Sequence, residues 1–495
     1  MGLKIFLGNG PWLRKGYYGV RAGSRWPHFE EEGNLYLPFP FYLAYACAIL
    51  EREHYECLMI DGVAERISEP DYIQRATAFQ PDVAILEVST ASLPTDLRQA
   101  QLIKDKCPNV KIVFCGIHLD MYRPEFLQEF PVVDYVMKGE YDLIAPALIK
   151  SIESNNGFEH VPGLVYKDGE GKYSATERPE VIADLESIPW PARHHLPMMN
   201  YYDLPGGIPA PSLQMWASRG CPFKCIFCAW PQIMYGNNRY RTRDAVDIVD
   251  EIEAMVKQYG FRSYYFDDDT FNIGKKRILS LCEEIRRREL NLPWAAMSRA
   301  DTSDKETFKA LKDAGLQGIK FGVESGSQEL VDAALKNLSL EQVEESVRYA
   351  KEIGINVHLT FSFGLPGETW ETVRKTIDFA KKLNPDTVQF SIMTPFPGSI
   401  FYKLLEEDGK LLTRDWSKYD GGTTAVACTD QMRGEDLEKA LQMAYREWDW
   451  HKLTRPLKDF HHFKRVCSRP RHAWHTFRFL VNRHVKRMLQ PDPTS

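Results

Sequence analysis

The sequence predicts an α/β protein that begins with an open parallel sheet, continues into a partial (β/α)6 barrel and ends in a helical extension. Short apolar runs alternate with helical patterns over residues 1–154, and the same alternation restarts near residue 212 and continues to 400. Strands that alternate with helices indicate parallel sheets. Residues 401–495 add helical and irregular segments, which form the extension.

Composition places the chain among ordinary globular proteins. Of its 495 residues, 44% are hydrophobic and 26% are charged, which excludes a disordered chain, a collagen-like fibre and a disulfide miniprotein. Lys and Arg total 62 against 68 Asp and Glu, and this net charge of −6 gives no indication of nucleic-acid binding. No apolar run reaches the ~18 residues that a membrane span needs.

The first unit, residues 1–154, is predicted to be an open sheet with a binding rim. Its strand candidates are residues 4–7, 56–60, 83–88, 111–115 and 135–137, and its helix candidates are 40–52, 71–79, 96–106 and 141–154. Ligands of open parallel sheets bind outside the carboxyl ends of the strands, so the loops after these strands form the expected rim. Those loops contain Ser89, Thr90, Gly116, His118, Gly139 and Glu140.

A connector, residues 155–210, leads to the second unit, residues 211–400. The connector is dense in Pro and Gly, which favours turns, and a hairpin is expected at 163–169. The second unit has strand candidates at 213–217, 263–266, 294–297, 319–323, 357–363 and 388–393, with helix candidates at 244–259, 275–288, 305–314, 328–334, 340–353 and 369–383. Six βα units are too few for a closed eight-stranded barrel, so we expect one that is open on one side.

Three cysteines, Cys221, Cys225 and Cys228, fall within eight residues just after the first strand of the second unit. A structural zinc site normally uses four ligands as two separated pairs, and the chain has no second CxxC pair. An iron–sulfur cluster is also held by thiolates, and three protein ligands would leave one iron open to an exogenous ligand. The spacing favours the cluster; a zinc knuckle completed by a distant His or Cys and a chance grouping are the alternatives.

The CxxxCxFC segment after the first barrel strand resembles the radical S-adenosylmethionine (SAM) superfamily, over residues 212–400. The resemblance implies a [4Fe-4S] cluster whose open iron chelates SAM. An electron from the cluster then breaks the sulfonium carbon–sulfur bond, and the 5′-deoxyadenosyl radical abstracts hydrogen from an unactivated carbon. Cys221, Cys225 and Cys228 would be the catalytic metal ligands, and Phe227 of the same motif would contact the cofactor.

Other barrel positions match features of the same family, and all of them follow strands. They are Asp268 in YFDDDTF (265–271), Arg299 in SRAD (298–301), Glu324 and Ser325 in GVESG (322–326), and the elements FGLPGET (363–369) and TPFPGS (394–399). The resemblance implies that Arg299 pairs with the SAM carboxylate and that Glu324, assisted by Ser325, accepts hydrogen bonds from the ribose. The alternatives are helix capping by Asp268, a surface ion pair for Arg299 and a capped turn at Glu324.

The pairing of this barrel with an upstream flavodoxin-like (Rossmann-type) domain resembles the cobalamin-binding radical SAM enzymes, among them anaerobic magnesium-protoporphyrin ester cyclases and hopanoid-biosynthesis proteins. The matching segments are EVSTAS (87–92), CGIH (115–118), KGE (138–140) and IPWPAR (188–193). This implies that the rim residues Ser89, Thr90, Gly116, His118, Gly139 and Glu140 hold cobalamin. No D-x-H-x-x-G motif occurs, so we expect no histidine lower ligand. The same gap leaves open a vestigial domain in which His118 is an ordinary loop histidine.

Two basic segments suggest contacts outside the cofactor sites. Residues 451–495 carry 11 Lys and Arg against two Asp and Glu, and 470–488 has apolar residues at helical spacing. Such a helix contacts a membrane surface peripherally or packs on the acidic body of the protein. The loop at 21–28 covers cobalamin, meets an anionic substrate or is simply solvated.

These features predict a cytoplasmic, oxygen-sensitive radical SAM enzyme that modifies an unactivated carbon of a small metabolite or natural product. We favour cobalamin-dependent C-methylation, with radical cyclisation, dehydration or rearrangement as the alternative. A structural zinc protein or an electron-transfer iron–sulfur protein is the non-enzymatic alternative. The expected partners are a small-molecule substrate and an electron donor such as flavodoxin or ferredoxin, and no nucleic acid. Clustered cysteines without a secretion signal point to a reducing compartment.

Overall fold

A computed structural model of the chain describes residues 2–14, 16–21, 27–30, 36–178 and 184–458. Its first part is built around one mixed sheet. The strands and helices of this part are, in chain order, β1 (Lys4–Asn9), β2 (Leu13–Arg14), β3 (Tyr17–Val20), β4 (His28–Phe29), α1 (Phe41–Arg52), β5 (Glu56–Asp61), α2 (Glu69–Ala78), β6 (Val83–Val88), α3 (Leu93–Lys106), β7 (Lys111–Gly116), α4 (Glu125–Glu129), β8 (Tyr135–Met137), α5 (Tyr141–Ser154), β9 (Leu164–Lys167) and β10 (Tyr173–Ala175).

The first sheet has the order β10-β9-β8-β7-β6-β1-β5, with β1 and β5 to β8 parallel. Chain order reverses between β1 and β6, which is the switch point where flavodoxin-like folds bind ligands. Alternate side chains of β1 enter two different cores: Ile5 and Leu7 pack with α1 and α5, and Phe6 packs with α2 and α3. The sheet is therefore covered on both faces, which explains its continuous apolar runs and confirms the predicted flavodoxin-like fold.

The hairpin expected in the connector forms as β9 and β10 and extends the first sheet. Strand β9 pairs antiparallel with β8. Further along the connector, the Pro205–Gly207 turn lies against Gly318 and Asn356, which stand near the amino ends of two strands of the second part. Gly206 has φ +68°, and a Cβ there would lie 2.3 Å from the Cα of Gly318. Only glycine allows this close approach, which closes the lower end of the barrel.

The second part contains the barrel and the extension. Its strands and helices are β11 (Ser212–Met215), β12 (Ser218–Arg219), β13 (Arg241–Thr242), α6 (Ala245–Tyr259), β14 (Ser263–Phe266), α7 (Lys275–Arg287), β15 (Trp294–Ser298), α8 (Lys305–Asp313), β16 (Leu316–Glu324), α9 (Gln328–Ala333), α10 (Leu340–Glu352), β17 (Asn356–Phe363), α11 (Trp370–Leu383), β18 (Thr387–Ile392), α12 (Ile400–Glu407) and α13 (Gly434–Lys458).

Six parallel strands form the barrel in the order β11-β14-β15-β16-β17-β18. Strands β11 and β18 do not pair with each other among the described residues, so the predicted partial barrel is confirmed. Apolar residues of β17 alternate toward the outer helices, as Val357, Leu359, Phe361 and Phe363 do, and this leaves the intervening polar residues facing the lumen. The first barrel strand is shorter than predicted because the backbone N–H of Ala217 donates to Asp268 instead of to a neighbouring strand.

The extension closes the outer side of the barrel next to β18. Helix α13 packs there, and the Tyr445 hydroxyl donates to the carbonyl oxygen of Phe390 at 2.9 Å. In the described part of the chain, none of the helices combines the length and apolarity that crossing a membrane requires. The predicted basic helix at 470–488 lies outside the described residues.

Candidate functional site

The three cysteines lie in the loop after β12, at the carboxyl end of the first barrel strand, and two aspartates hold the start of this loop. Asp268 accepts hydrogen bonds from the backbone N–H of Ala217 at 3.1 Å and from the Ser218 hydroxyl. Asp269 accepts from the backbone N–H of Gly220 at 3.2 Å. No side chain caps the following helix α7, so the capping alternative for Asp268 is wrong. Burial raises the pKa of Asp268 to about 6.

A glutamine fastens the other end of the cysteine loop. The side-chain amide of Gln232 donates to the carbonyl oxygens of Cys228 at 2.7 Å, Ile226 at 3.1 Å and Cys225 at 3.2 Å. Its amide oxygen accepts from the backbone N–H of Ile400 at 2.7 Å, which ties the loop to α12. Sequence reasoning missed Gln232 because a single glutamine in an irregular segment belongs to no recognisable pattern.

The spacing of the thiols separates the cluster from the zinc alternative. The sulfur atoms of Cys221, Cys225 and Cys228 are not all within 4.8 Å of one another; among the described residues a different trio meets that limit. A single tetrahedral zinc with bonds of about 2.3 Å would bring its sulfur ligands to about 3.8 Å. At least one pair of these sulfur atoms is therefore farther apart than a single zinc ion would hold them. Burial raises the pKa of Cys225, whereas the Lys336 and Arg299 cations lower it and thereby favour the thiolate that binds iron.

Arg299 lies beside the cysteine loop with its guanidinium buried. It pairs with Asp301 at 2.7 Å and donates to the carbonyl oxygen of Lys336 at 3.0 Å. Its guanidinium carbon lies 3.5 Å from the centre of the Phe223 ring. The surface-pair alternative is wrong because only 5% of Arg299 is exposed. The contact between Arg299 and the SAM carboxylate stays a prediction.

Glu324 and Ser325 follow β16 in a sharply turned backbone. Glu324 has φ +72°, a conformation that non-glycine residues rarely adopt and that is often found at functional sites. Its carboxylate pairs with Lys336 at 2.7 Å and accepts from the Ser362 hydroxyl at 3.3 Å. Ser325 bonds to Thr376 and accepts from the backbone N–H of Ser327, both at 3.1 Å. Ser325 thus shapes the turn, as its capped-turn alternative expects.

Two buried hydroxyls near the mouth of the barrel have no hydrogen-bond partner among the described residues. They belong to Ser298, at the end of β15, and Thr394, just after β18. Buried hydroxyls normally have partners, so these two are available to a polar ligand. Phe227 adds a buried aromatic face with the Lys336 ammonium 5.8 Å from its ring centre. Thiols, cations and available hydroxyls therefore fit an iron–sulfur cluster with bound SAM.

The rim of the first sheet gathers the side chains that were predicted to hold cobalamin. The Thr90 hydroxyl oxygen and the Nδ1 atom of His118 lie 3.1 Å apart, and the hydroxyls of Ser89 and Ser92 share a hydrogen bond of 3.0 Å. Trp416 packs edge-on against His118 with ring centres 5.5 Å apart. These residues lie at the carboxyl ends of β6 and β7, beside the switch point, and hydroxyl and imidazole donors fit the amide groups of a corrin.

Arg21 and two glycines complete the structure of this rim. Arg21 is buried and pairs with Asp96 at 2.7 Å, so this end of the 21–28 loop is not solvated; residues 22–26 lie outside the described residues. A Cβ on Gly116 would lie 2.2 Å from the carbonyl oxygen of Val88, and one on Gly139 would lie 2.5 Å from that of Met234. Both glycines are thus required by close backbone approach, and their contact with cobalamin stays a prediction.

A buried ion-pair cluster joins this rim to the cysteine loop. Glu140, in the rim, accepts from Arg219 at 3.3 Å and from Arg241 at 2.9 Å. Asp142 accepts from Arg219 at 2.8 Å. Arg219 stands two residues before Cys221, so the first sheet holds the start of the cysteine loop directly. Glu140 therefore has an interdomain role that its predicted cofactor contact did not include.

Comparisons with known proteins match both parts of this arrangement. The family model described as the radical SAM superfamily matches residues 217–380, and the B12 binding domain model matches residues 36–149. The chain is 32% identical over 411 residues to an uncharacterized methyltransferase of Pyrococcus horikoshii, covering 82% of this chain and 86% of that protein. It is 28% identical over 436 residues to the anaerobic magnesium-protoporphyrin IX monomethyl ester cyclase of Rubrivivax gelatinosus, covering 86% of this chain and 74% of the cyclase.

The fold also matches a solved structure over its whole length. The structure is that of OxsB, a cobalamin-dependent SAM radical enzyme, with aqua-cobalamin and SAM bound. The TM-score is 0.70 at 17% identity, and the match covers 100% of this chain and 74% of OxsB. This likeness shows that the two proteins share the arrangement of their domains.

The site and these matches define a radical SAM enzyme. The chain belongs to the radical SAM superfamily and carries a B12-binding domain. This confirms the predicted cofactor set of a [4Fe-4S] cluster, SAM and cobalamin. It also sets aside the non-enzymatic alternatives.

Proposed function

We propose that this enzyme catalyses cobalamin-dependent C-methylation of a small molecule at an unactivated carbon. The observation that carries the proposal is the buried cluster of Glu140, Asp142, Arg219 and Arg241, which fixes the first-sheet rim against the cysteine loop. A methylation that uses both cofactors needs the two sites to stand next to each other. The similarity to a methyltransferase over most of both chains supports the same reaction.

The residues of the chain would bind and orient the cofactors. When bound, a reduced cluster with SAM would supply the radical that abstracts hydrogen, and cobalamin would supply the methyl group. Cys221, Cys225 and Cys228 would hold the cluster, and Asp268 and Gln232 keep their loop in place. A site whose supporting hydrogen bonds are already formed keeps its geometry during the reaction.

The lumen of the partial barrel is our proposed substrate site. His358 and Lys320 lie on neighbouring strands; Lys320 pairs with Asp203 at 3.3 Å. Nε2 of His358 is buried without a hydrogen-bond partner among the described residues. Burial, together with Lys320, lowers the pKa of His358 to about 3, so this imidazole is neutral at physiological pH. The lumen thus offers a neutral donor or acceptor at His358, beside the Lys320–Asp203 ion pair.

Cyclisation is the second candidate, because the chain is similar to the Rubrivivax cyclase over 86% of its length. A cyclase would use the same barrel site without methyl transfer. The remaining expectations are part of the proposal: a cytoplasmic enzyme reduced by a flavodoxin or ferredoxin, with no nucleic-acid partner. The proposed membrane contact of residues 470–488 lies outside the described residues.

The experiment that tests the proposal uses the full chain, reconstituted anaerobically with iron, sulfide and cobalamin. Dithionite and SAM labelled in its methyl group are added, and products are followed by mass spectrometry. We expect 5′-deoxyadenosine, S-adenosylhomocysteine and label in the protein-bound corrinoid. 5′-Deoxyadenosine without S-adenosylhomocysteine would favour cyclisation, and the absence of both would contradict radical SAM chemistry.

A further inference from the structure

A second group of metal-ligating side chains lies far from the cysteine loop in sequence. Cys47 and Glu51 stand one turn apart on α1, and His195 follows in the short helical turn Arg193–His195 of the connector. The thiol of Cys47, a carboxylate oxygen of Glu51 and a ring nitrogen of His195 all lie within 4.8 Å of one another. Nε2 of His195 is 2.8 Å from Oε1 of Glu51.

A fourth ligand is available from the neighbouring strand. Cys57, near the start of β5, is close enough to Cys47 for its thiol to raise the pKa of the Cys47 thiol. Contacts outside this group of four side chains hold the connector in place. The backbone N–H of Ala192 donates to the carbonyl oxygen of Ala44 at 2.9 Å, and Arg193 pairs with the buried Glu251 at 3.0 Å. The backbone of the connector is therefore held next to α1 whether or not a ligand binds.

The donor set selects the metal. Thiolate and imidazole ligands suit zinc, whereas magnesium and calcium take oxygen ligands. In a tetrahedral zinc site with bonds of about 2.0–2.3 Å, neighbouring ligand atoms are about 3.3–3.8 Å apart. A group that already lies within 4.8 Å needs only side-chain adjustments to reach this spacing. Cys47, Glu51 and His195 meet the limit as they stand, and Cys57 would reach the ion by a movement of its side chain.

We propose that Cys47, Glu51, His195 and Cys57 bind one Zn²⁺ ion in a closed structural site. The site joins α1 and β5 of the first sheet to the connector. Cys47 is fully buried, and the side chains of Glu51 and His195 are 30% and 16% exposed, so the ion would enter from the connector side. Four protein ligands leave no open position, and we assign the site no part in the methylation proposed above.

The test measures zinc in the full chain, in a background that cannot hold the iron–sulfur cluster. Cys221, Cys225 and Cys228 are replaced by alanine together, and the protein is purified anaerobically and loaded with Zn²⁺ or Co²⁺. We expect one equivalent of zinc by elemental analysis and a thiolate-to-cobalt absorption band. Cys47→Ala and His195→Ala in this background should each lose both signals, and Cys282→Ala, which removes a buried cysteine of α7, should keep them.

A second measurement avoids dependence on the variants folding. X-ray absorption at the zinc edge of the cluster-loaded wild-type chain should show sulfur ligands at about 2.3 Å together with nitrogen or oxygen ligands. Three results would overturn the proposal. They are the absence of bound zinc from both proteins, a zinc content that Cys47→Ala and His195→Ala leave unchanged, and a Cys47–Cys57 disulfide in zinc-free protein. Zinc that is kept in Cys57→Ala but lost in His194→Ala would show that His194, and not Cys57, is the fourth ligand. None of these results bears on SAM cleavage, so the two proposals fail separately.

Discussion

The polar side chains at the carboxyl edges of the two sheets differ in whether they have internal hydrogen-bond partners. The barrel edge carries three thiols and the hydroxyls of Ser298 and Thr394, and both hydroxyls lack partners among the described residues. At the edge of the first sheet, Thr90 bonds to His118, and Ser92 bonds to Asp96 at 2.6 Å. The barrel edge thus has two hydroxyls available to a ligand, although Arg299 and Glu324 have ion-pair partners there, whereas the first-sheet rim would have to exchange internal hydrogen bonds for contacts with its cofactor.

The difference teaches that family motifs mark two kinds of position. Cys225 is a motif residue whose side chain remains available for a ligand. Glu140 is a motif residue whose carboxylate is engaged by two arginines and holds the domains together. A motif alone does not separate the two kinds, because either requirement restricts the residue type.

The largest effect is expected when one of the three thiols at the barrel edge is removed. Cys225→Ala should lower iron and sulfide from about four of each per chain to background, because three protein thiolates are needed to hold the cluster. Production of 5′-deoxyadenosine should disappear with the cluster. Cys282→Ala removes a buried cysteine of α7 and should keep both. Full cluster content in Cys225→Ala would contradict the assignment of the site.

The next effect tests the junction between the two edges. Arg219→Met leaves Glu140 with Arg241 alone and leaves Asp142 buried without its ion pair. Breaking a buried pair by removing one partner costs about 3–5 kcal/mol, so the free energy of unfolding should fall by that amount. Denaturant titration of the cluster-free protein measures it.

The matched control for this junction is Arg98→Met. Arg98 pairs with Glu69 at 2.6 Å, but its side chain is 57% exposed. Solvent screens such a pair, and its loss should cost less than about 1 kcal/mol. Equal losses in Arg98→Met and Arg219→Met would mean that the junction is not held by its ion pairs.

Much of the fold could be predicted because hydrophobic periodicity reports burial directly. The helix at 141–154 and the strands at 83–88 and 263–266 were predicted with the bounds that the structure has. Strand β11 ends two residues before its predicted end, because no local pattern shows that Asp268 accepts from the N–H of Ala217. Tertiary hydrogen bonds of this kind decide where strands end.

The candidate site was predictable only where its residues belong to short sequence motifs. The cysteines lie together and are visible as a motif. Glu140 and Arg241 are 101 positions apart, and nothing in the sequence indicates that they pair. Charge partners that are far apart in sequence are set by the topology of the two sheets, which is why the junction was missed.

A third prediction tests the buried acid beneath the rim. Burial raises the pKa of Glu87 to about 7, although Tyr141 donates to its carboxyl oxygen at 2.5 Å. The folded state therefore holds the proton more tightly than the unfolded state. This contribution to stability is complete at low pH and is lost as the pH rises from about 4.5 to about 7. At 1.36 kcal/mol per pKa unit, the loss is about 3 kcal/mol.

Glu87→Gln should remove this dependence while keeping an acceptor for Tyr141. The variant should match the wild type near pH 4.5 and exceed its unfolding free energy by up to about 3 kcal/mol at pH 8. Unfolding is measured at both pH values. Burial also raises the pKa of Asp96 to about 6, so a weaker slope should remain in the variant. Parallel pH profiles for variant and wild type would contradict the prediction.

The smallest effect tests whether the rim exchanges its internal bonds for cofactor contacts. Thr90→Val removes one hydrogen-bond partner of His118 and should cost about 1 kcal/mol in the cobalamin-free protein, the usual worth of one hydrogen bond. Thr77→Val is the control, because the buried Thr77 hydroxyl returns to the carbonyl oxygen of Ile73 in its own helix. If the Thr90 hydroxyl turns to the cofactor on binding, Thr90→Val should also weaken aqua-cobalamin binding by roughly fivefold, since about 1 kcal/mol corresponds to that factor. Unchanged cobalamin affinity together with reduced stability would show that Thr90 stays bonded to His118 with and without the cofactor. The rim would then keep its internal hydrogen bonds on binding, and the two sheet edges would differ more than we infer.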